Sequence, residues 1–386
     1  MTLPTPRRRV VLLGATGSIG RQACDVIARY PDRFTLVGAV AGSSGAALAA
    51  IATRFGVTRT ALVHPGPDTE LPPGCATGID AACEIAAMDA DVVCVAITGA
   101  AAIRPTLAAI DAGATVATAT KEVLVMAGEL VKARAAAAGA RIIPIDSEHS
   151  ALWQCLRGED PASVSRLVLT ASGGPFLRRP LDTFASITPA EALAHPTWNM
   201  GPKVTIDSAT MMNKGLEVIE AHFLFDVEYS SIDVAIHPTS IVHSWVEFQD
   251  GAVIAQMGLP DMRVPIALAL ADGERLPGVG PHLDLRDASP LEFLAVDEAR
   301  FPAVALARSA GERGGLAPCV FNAANEEAVM AFTAGQCRFD EIVPLVSDAL
   351  ASFHGDSAST LDGVLAADTW ARGFVRATTV GAVAAR

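Results

Sequence analysis

The sequence predicts an α/β protein with a Rossmann-like parallel sheet at its N-terminal end, a central α+β domain and a C-terminal helical domain. Short, continuously apolar segments alternate with helical patterns through residues 1–150, which is typical of a parallel sheet covered on both faces. Apolar segments flank an Asp250-Gly251 pair, a favourable hairpin turn. Helical periodicity dominates after residue 301.

The expected elements follow in chain order. Residues 1–150 form the first domain, with strands near residues 10–13, 34–40, 61–63, 91–96, 115–117 and 142–145 and helices between them. Residues 151–271 form the second domain, with strands at 167–170, 234–236, 245–248 and 252–256. Residues 272–300 are rich in Gly and Pro and are expected to be a linker. Residues 301–386 form the helical domain, with its clearest helices at 325–332 and 339–353.

Charge and composition exclude several classes of partner. The 386-residue chain carries a net charge of −13, which argues against nucleic acid or an anionic membrane as the main partner. No apolar run reaches the roughly 18–20 residues of a membrane span, and the first expected strand begins too early to leave room for a signal peptide. The seven cysteines include no Cys-x-x-Cys pair and are expected to be reduced core residues. A cytoplasmic location is therefore expected.

A glycine-rich turn follows the first strand. Gly14-Ala-Thr-Gly-Ser-Ile-Gly20 lies between a strand and a helix, where glycines admit a pyrophosphate and the helix N-terminus supplies amides. A plain tight turn is the alternative. The second strand ends at Gly42-Ser43-Ser44 without the acid that usually binds the ribose of NAD. These three residues could accept a 2′-phosphate, so the sequence favours NADP over NAD.

Three carboxylates are candidate metal ligands. Asp146 and Glu148 follow the last parallel strand, and residues two apart on an extended segment point the same way. Glu217 could supply a third oxygen ligand, and such a set indicates Mg²⁺ or Mn²⁺. The alternative for the first pair is a helix N-cap followed by acids at a positive helix end.

A polar run at 207–223 suggests a site for an anion. Asn213 and Glu217 are four apart and would share one helix face, while Lys214 suits a phosphate. An amphipathic helix with a solvated polar face is the alternative. Ser172 precedes two glycines, which allow the backbone to approach an oxyanion, although a simple turn also fits. Trp198, in the loop 195–201, could be part of a lid or could pack on the protein body.

Taken together and in order, these motifs resemble those of the 1-deoxy-D-xylulose 5-phosphate reductoisomerase family, over nearly the whole chain. The matching segments are residues 14–20, 146–151, 171–176, 207–217, 237–244, 259–266 and 322–326. The resemblance implies an NADPH-dependent and divalent-metal-dependent homodimeric enzyme that acts on a small phosphorylated sugar, with Mg²⁺ or Mn²⁺, or alternatively Co²⁺, as the cation. The central domain would then be the catalytic domain.

The resemblance also implies a role for individual residues. Cofactor contacts would come from Thr16, Gly17, Ser18, Ile19, Thr120, Glu122 and Gly201. The cation would be bound by Asp146, Glu148 and Glu217. Lys121, Ser147 and Glu148 would face the reacting end of the substrate, and Ser172, His195, Ser208, Asn213 and Lys214 would hold the remainder, chiefly its phosphate. The 195–201 loop would be the flap, with Trp198 covering the substrate.

The chain departs from the family pattern at three places. Thr120 stands where the family usually has Asn, Val123 where it has Ser, and Ser43-Ser44 where it has Lys-Asn. The last departure is expected to weaken binding of the 2′-phosphate of NADPH unless another basic group compensates.

Two other functions compete with this prediction. One is a metal-free NADP-dependent dehydrogenase of the amino-acid semialdehyde type, which EDTA would leave active. The other is a catalytically silent nucleotide-binding sensor, which the three intact carboxylates disfavour.

Overall fold

The computed structural model describes residues 6–385 except 199, 289 and 356–359. Asn199 of the expected flap and Ser289 of the expected linker therefore lie outside the described residues. Two compact units are present. The first consists of the chain up to Val123, Val131–Ser150 and Asp261–His282, and the second of Leu124–Leu130, Ala151–Pro260 and the chain from Leu283. The four-part domain division remains a prediction.

The first unit contains a parallel sheet flanked by helices, as predicted. Its elements are β1 Arg8–Leu13, α1 Ser18–Arg29, β2 Phe34–Ala41, α2 Gly45–Phe55, β3 Thr60–Leu62, β4 Ala76–Thr77, α3 Gly78–Ala86, β5 Val92–Val95, α4 Ile103–Asp111, β6 Thr115–Thr118, α5 Lys121–Ala138, β7 Ile142–Pro144 and α6 Ser147–Cys155. The middle of α5 and the end of α6 belong to the second unit.

The strand order of this sheet is β4-β3-β2-β1-β5-β6-β7, and every pairing is parallel. Val10 to Leu13 of β1 are completely buried, because helices cover both faces of a parallel sheet. The order reverses between β1 and β5, and ligands bind such sheets outside the carboxyl ends of the strands at this switch point. The loop after β1 therefore lies where a dinucleotide is expected.

The second unit contains a mixed five-stranded sheet and most of the remaining helices. The elements that follow in the chain are β8 Val164–Ala171, α7 Pro189–Ala192, α8 Pro202–Thr210, α9 Met212–Phe225, β9 Ile232–Ile236, β10 Val242–Phe248, β11 Val253–Met257, α10 Arg263–Leu270, β12 Leu294–Ala295, α11 Ala303–Arg313, α12 Ala317–Thr333, α13 Ile342–Ser352 and α14 Leu361–Ala385. Among them, α10 belongs to the first unit.

The strand order of the mixed sheet is β11-β10-β8-β9-β12, with β8 and β9 parallel and the other pairs antiparallel. The predicted hairpin is confirmed: β10 and β11 pair across a turn in which Gly251 has φ +89°. The helical character predicted after residue 301 is confirmed by α11 to α14.

Two details differ from the expectation. The run 207–223 is divided between α8 and α9, because Met211 adopts a left-handed conformation with φ 63°. A short strand, β12, lies inside the segment expected to be a linker and pairs with β9. Among the described residues, no helix combines the length and apolar character that a membrane crossing requires.

Candidate functional site

The glycine turn after β1 is tightly packed against its own neighbours. Gly14 has φ +85°, and a Cβ atom there would lie 2.2 Å from the carbonyl oxygen of Ala96. A Cβ atom on Gly20 would lie 2.2 Å from the carbonyl oxygen of Gly14. Helix α1 starts at Ser18 with Gly17 in the N-cap position, so backbone amides rather than a side chain occupy the helix end. This is the arrangement that admits a pyrophosphate.

The predicted cofactor residues of this turn all lie where an incoming ligand could reach them. Thr16 and Ile19 are half-buried, while Gly17 and Ser18 are exposed. The end of β2 is next to this turn, since the Gly14 and Ala15 amides both donate to the carbonyl oxygen of Val40.

The residues that follow β2 are open to solvent. Gly42, Ser43 and Ser44 are exposed, and Ser44 is the N-cap residue of α2 without a side-chain capping bond. The carbonyl oxygen of Gly42 accepts from the amide of His64 at 2.7 Å. The two serine hydroxyls are thus available for hydrogen bonding to a phosphate.

An ion pair with a buried lysine lies at the carboxyl end of the same sheet. Lys121, the first residue of α5, places Nζ 2.6 Å from Oδ2 of Asp146. Thr120 is buried and donates to the carbonyl oxygen of Ile97 at 2.6 Å, which fixes the start of that helix. Glu122 is buried in the first turn.

The charge of Asp146 is stabilised by its neighbours. Burial alone would raise the pKa of Asp146, but the Lys121 ammonium and the neighbouring His149 ring together hold that pKa well below its usual range. Nδ1 of His149 lies 3.7 Å from Oδ1 of Asp146. The Asp146 side chain is therefore ionised at neutral pH.

The premise that Asp146 and Glu148 lie on an extended segment is wrong. Helix α6 begins at Ser147. The carbonyl oxygen of Asp146 accepts from the Ser150 amide at 2.7 Å, and its Oδ1 accepts from the Glu148 amide at 3.4 Å. The helix-capping alternative describes this local geometry, because an aspartate after the strand end favours a helix start.

The two acids nevertheless both lie at the start of the helix, Asp146 just before it and Glu148 in its first turn. Oε2 of Glu148 accepts from the Ser147 hydroxyl at 2.5 Å. Capping does not prevent metal binding, since a carboxylate has several lone pairs.

In the second unit, two serines and a histidine form a compact polar cluster. Nε2 of His195 lies 3.0 Å from Oγ of Ser172 and 3.1 Å from Oγ of Ser208. The amide of Gly174 donates to Oγ of Ser172 at 3.2 Å. Gly173 and Gly174 have φ +82° and +66°, and a Cβ atom on Gly174 would lie 2.7 Å from the carbonyl oxygen of Ser208. Glycine is therefore what allows the turn after β8 to approach α8.

The hydrogen bonds of His195 define its tautomer. Nδ1 accepts from the backbone amides of Thr197 at 3.1 Å and Trp198 at 2.9 Å. Nδ1 therefore carries no proton, and the neutral ring has its proton on Nε2, facing the two serine hydroxyls. Burial lowers the pKa of His195 below its ordinary value of 6.5. The cluster has three hydrogen-bonding groups that suit an anion, and the His195 ring among them is uncharged.

Helix α9 carries a buried polar group on one face. Asn213 donates to Oε1 of Glu217 at 2.5 Å, as their four-residue spacing predicts. Lys214 forms an ion pair with Oε2 of the same carboxylate. The solvated-face alternative is wrong, because the Lys214 and Glu217 side chains are only 3% and 1% exposed.

The predicted flap begins at the His195 cluster. Trp198 is half-buried, and its ring centroid lies 6.3 Å from that of His243. Gly201 is exposed and is the N-cap residue of α8. In this structure the Trp198 ring is thus near the body of the second unit, and its role as a substrate cover remains a prediction.

One polar group in the second unit was not assigned from sequence. Asp207 is 1% exposed and accepts from Nδ2 of Asn325 at 2.8 Å, while its second oxygen lies 2.9 Å from Nζ of Lys203. The four-residue spacing of Lys203 and Asp207 was a readable signal. The contact with Asn325 joins residues 118 apart and had no local signal.

The first unit has the fold of a dinucleotide-binding domain, and the second unit contains the polar cluster of Ser172, His195 and Ser208. Three family models match the chain: 1-deoxy-D-xylulose 5-phosphate reductoisomerase at residues 10–128, its C-terminal domain at 142–225, and the DXP reductoisomerase C-terminal domain at 257–374. The chain belongs to the 1-deoxy-D-xylulose 5-phosphate reductoisomerase family.

Individual relatives are similar to this chain over almost its full length. The reductoisomerase of Leifsonia xyli is 52% identical over 95% of this chain and 97% of its own. The reductoisomerase of Thermomicrobium roseum is 48% identical over 96% of this chain and 97% of its own. The Zymomonas mobilis enzyme, solved in complex with NADPH, superposes with a TM-score of 0.90 at 40% identity, covering 97% of this chain and 99% of that one.

A further reductoisomerase structure contains NADPH, fosmidomycin and magnesium. It superposes with a TM-score of 0.89 at 38% identity, covering 96% of this chain and 98% of that one. The family prediction made from the motifs is therefore confirmed. The roles of individual site residues remain predictions.

The first testable prediction concerns the protonation of His195. Burial of the ring should hold the pKa of His195 below 6.5, and its Nδ1 accepts hydrogen bonds from two backbone amides. Stability supplied by this turn should be complete above about pH 6.5 and decline as the pH falls toward the lower folded pKa. Imidazole ¹⁵N NMR should show the proton on Nε2 at neutral pH. A proton on Nδ1, or a pKa above 6.5, would contradict the assignment.

Proposed function

We propose that this protein converts 1-deoxy-D-xylulose 5-phosphate to 2-C-methyl-D-erythritol 4-phosphate, with NADPH and a divalent cation, in non-mevalonate isoprenoid precursor biosynthesis. The observation that carries the proposal is similarity over nearly the whole chain to named reductoisomerases, including a structure with NADPH, fosmidomycin and magnesium. The carbon skeleton would rearrange to an aldehyde, by retro-aldol cleavage and recombination or by direct migration. Reduction of that aldehyde would complete the reaction.

The proposed cofactor site lies at the carboxyl edge of the parallel sheet. Amides of residues 16–19 would bind the pyrophosphate, because α1 begins at Ser18 with Gly17 as its N-cap residue. The exposed hydroxyls of Ser43 and Ser44 would bind the 2′-phosphate in place of the usual Lys-Asn pair. Thr120, Glu122 and Gly201 complete the proposed contacts.

Asp146, Glu148 and Glu217 are the proposed ligands of the cation, which we expect to be Mg²⁺, with Mn²⁺ or Co²⁺ as alternatives. Carboxylate oxygens suit hard divalent ions, and the Lys121 charge keeps Asp146 ionised. When bound, the cation would polarise the substrate ketone as a Lewis acid, and NADPH would supply the hydride. Lys121 would stabilise negative charge that develops on the substrate or relay a proton.

The proposed phosphate site is formed by Ser172, His195, Ser208, Asn213 and Lys214. Lys214 supplies the positive charge, and the His195 cluster supplies neutral hydrogen-bonding groups. These groups would contact the substrate at its end remote from the reacting carbons. Binding energy from a remote group can order the reacting end and close the flap over it.

We further propose a homodimer in the cytoplasm. β11 lies at the edge of the mixed sheet, and Val253 and Ile254 on it are exposed. An apolar edge strand of this kind invites pairing with another chain. The seven cysteines are free thiols, which suits a reducing compartment.

The second prediction tests the metal requirement. Glu217→Gln removes one carboxylate charge, so we expect kcat at saturating Mg²⁺ to fall on the order of 100-fold. NADPH affinity, measured by fluorescence, should be unchanged. The matched control is Glu312→Gln at an exposed position, which should keep full activity.

EDTA should also abolish wild-type turnover, and Mg²⁺ should restore it. Turnover that persists in EDTA would instead favour the metal-free dehydrogenase. Near-normal turnover of Glu217→Gln would remove Glu217 from the ligand set.

The third prediction concerns the phosphate. Lys214→Gln should raise the KM for 1-deoxy-D-xylulose 5-phosphate by roughly 10- to 100-fold, because a charge-assisted hydrogen bond contributes about 1.5–3 kcal/mol. The KM for NADPH should not change. Lys132→Gln, on α5, is the control. An unchanged substrate KM in Lys214→Gln would place the phosphate elsewhere.

A further inference from the structure

Helix α12 carries two buried asparagines that the proposed reaction leaves without a role. Asn322 and Asn325, both from the motif at 322–326, are completely buried. A buried amide costs free energy unless it forms hydrogen bonds. The partners of these two amides therefore indicate why they are present.

The two amides have different kinds of partner. Asn322 donates to Oε1 of Glu326 at 3.3 Å, within the same helix. Asn325 donates instead to Oδ1 of Asp207 on α8, at 2.8 Å. Only the second bond joins α12 to another helix, so these two residues form a natural matched pair for comparison.

Asp207 is held from two sides. Its Oδ1 accepts from the α12 amide, and its Oδ2 lies 2.9 Å from Nζ of Lys203, one turn earlier on α8. The carboxylate is 1% exposed, so it has little access to water as an alternative partner. Loss of either partner would leave a buried oxygen without compensation, which is costly.

The residue after Asp207 belongs to the polar cluster. Oγ of Ser208 lies 3.1 Å from Nε2 of His195, and the backbone of Ser208 leaves no room for a side chain at Gly174. A rotation or shift at the end of α8 would therefore move Ser208 relative to Ser172. The helix ends only two residues later, at Thr210, before the left-handed Met211.

We propose that Asn325 is a positioning residue: through Asp207 it fixes the end of α8, and with it Ser208, in the geometry that binds the substrate phosphate. This inference rests on the proposed function. Asn325 is not expected to contact the substrate. Its effect should therefore appear in substrate binding and leave the cofactor unaffected.

The experiment compares Asn325→Ala with Asn322→Ala in the full-length protein. Both changes remove a buried amide from α12, so both should lower the melting temperature. Asn325→Ala should raise the substrate KM about tenfold, with kcat and the dissociation constant of NADPH each within about twofold of wild type. Asn322→Ala should leave all three kinetic and binding values near wild type.

The inhibition constant of inorganic phosphate, measured against the substrate, should rise with the KM in Asn325→Ala. Equal KM values in the two variants would overturn the proposal. So would an unchanged phosphate inhibition constant, or equal losses of NADPH and substrate affinity in Asn325→Ala. If the wild-type protein did not turn over 1-deoxy-D-xylulose 5-phosphate at all, the proposed function itself would be wrong. Failure of the proposed function can therefore be distinguished from failure of the positioning role of Asn325.

Asn325→Asp provides a second test should the alanine variant fold poorly. A protonated aspartic acid at 325 can donate to Asp207 as the amide does, whereas an ionised one repels it. Relative to wild type, the substrate KM of Asn325→Asp should be lower at about pH 5.5 than at about pH 8. If the ratio of the Asn325→Asp substrate KM to the wild-type KM did not change with pH, the positioning role would be contradicted.

Discussion

In each unit a buried lysine forms an ion pair with a carboxylate, and both parts of the proposed site depend on this pairing. Lys121 pairs with Asp146 in the first unit, and Lys214 with Glu217 in the second. Removing two ions from water is expensive, so such pairs are poor stabilisers of a fold. Their presence at the candidate site is better explained by ligands that need charge: a cation for the carboxylates and a phosphate for Lys214.

The second constraint on the site is that the backbone of two turns must pack closely against neighbouring backbone. The turns at Gly14 and Gly174 both have positive φ, and both leave no space for a Cβ atom. Each turn brings backbone amides to a position where a negatively charged group can bind. The cofactor pyrophosphate and the substrate phosphate are thus expected to meet the same kind of structure, in two units with different folds.

Much of the fold and of the candidate site could be predicted from the sequence. The features that could not be predicted have physical causes. The buried strands and the glycine turn were predicted, because apolar runs and glycines act locally. The start of α6 at Ser147 was misjudged, since Asp146 satisfies a capping pattern and a metal-ligand pattern equally well. The break at Met211 has no signal, because methionine favours helix, and β12 is only two residues long. The bond from Asn325 to Asp207 depends on tertiary packing.

The most direct test of this account is the position of a bound cation. Crystals of the protein with Mn²⁺ and NADPH, measured at the manganese absorption edge, should show one strong anomalous peak with oxygen ligands from Asp146, Glu148 and Glu217. A peak that lacks any of these carboxylates, or that is ligated by a nitrogen of His149 instead, would contradict the claim that these three carboxylates hold one metal ion.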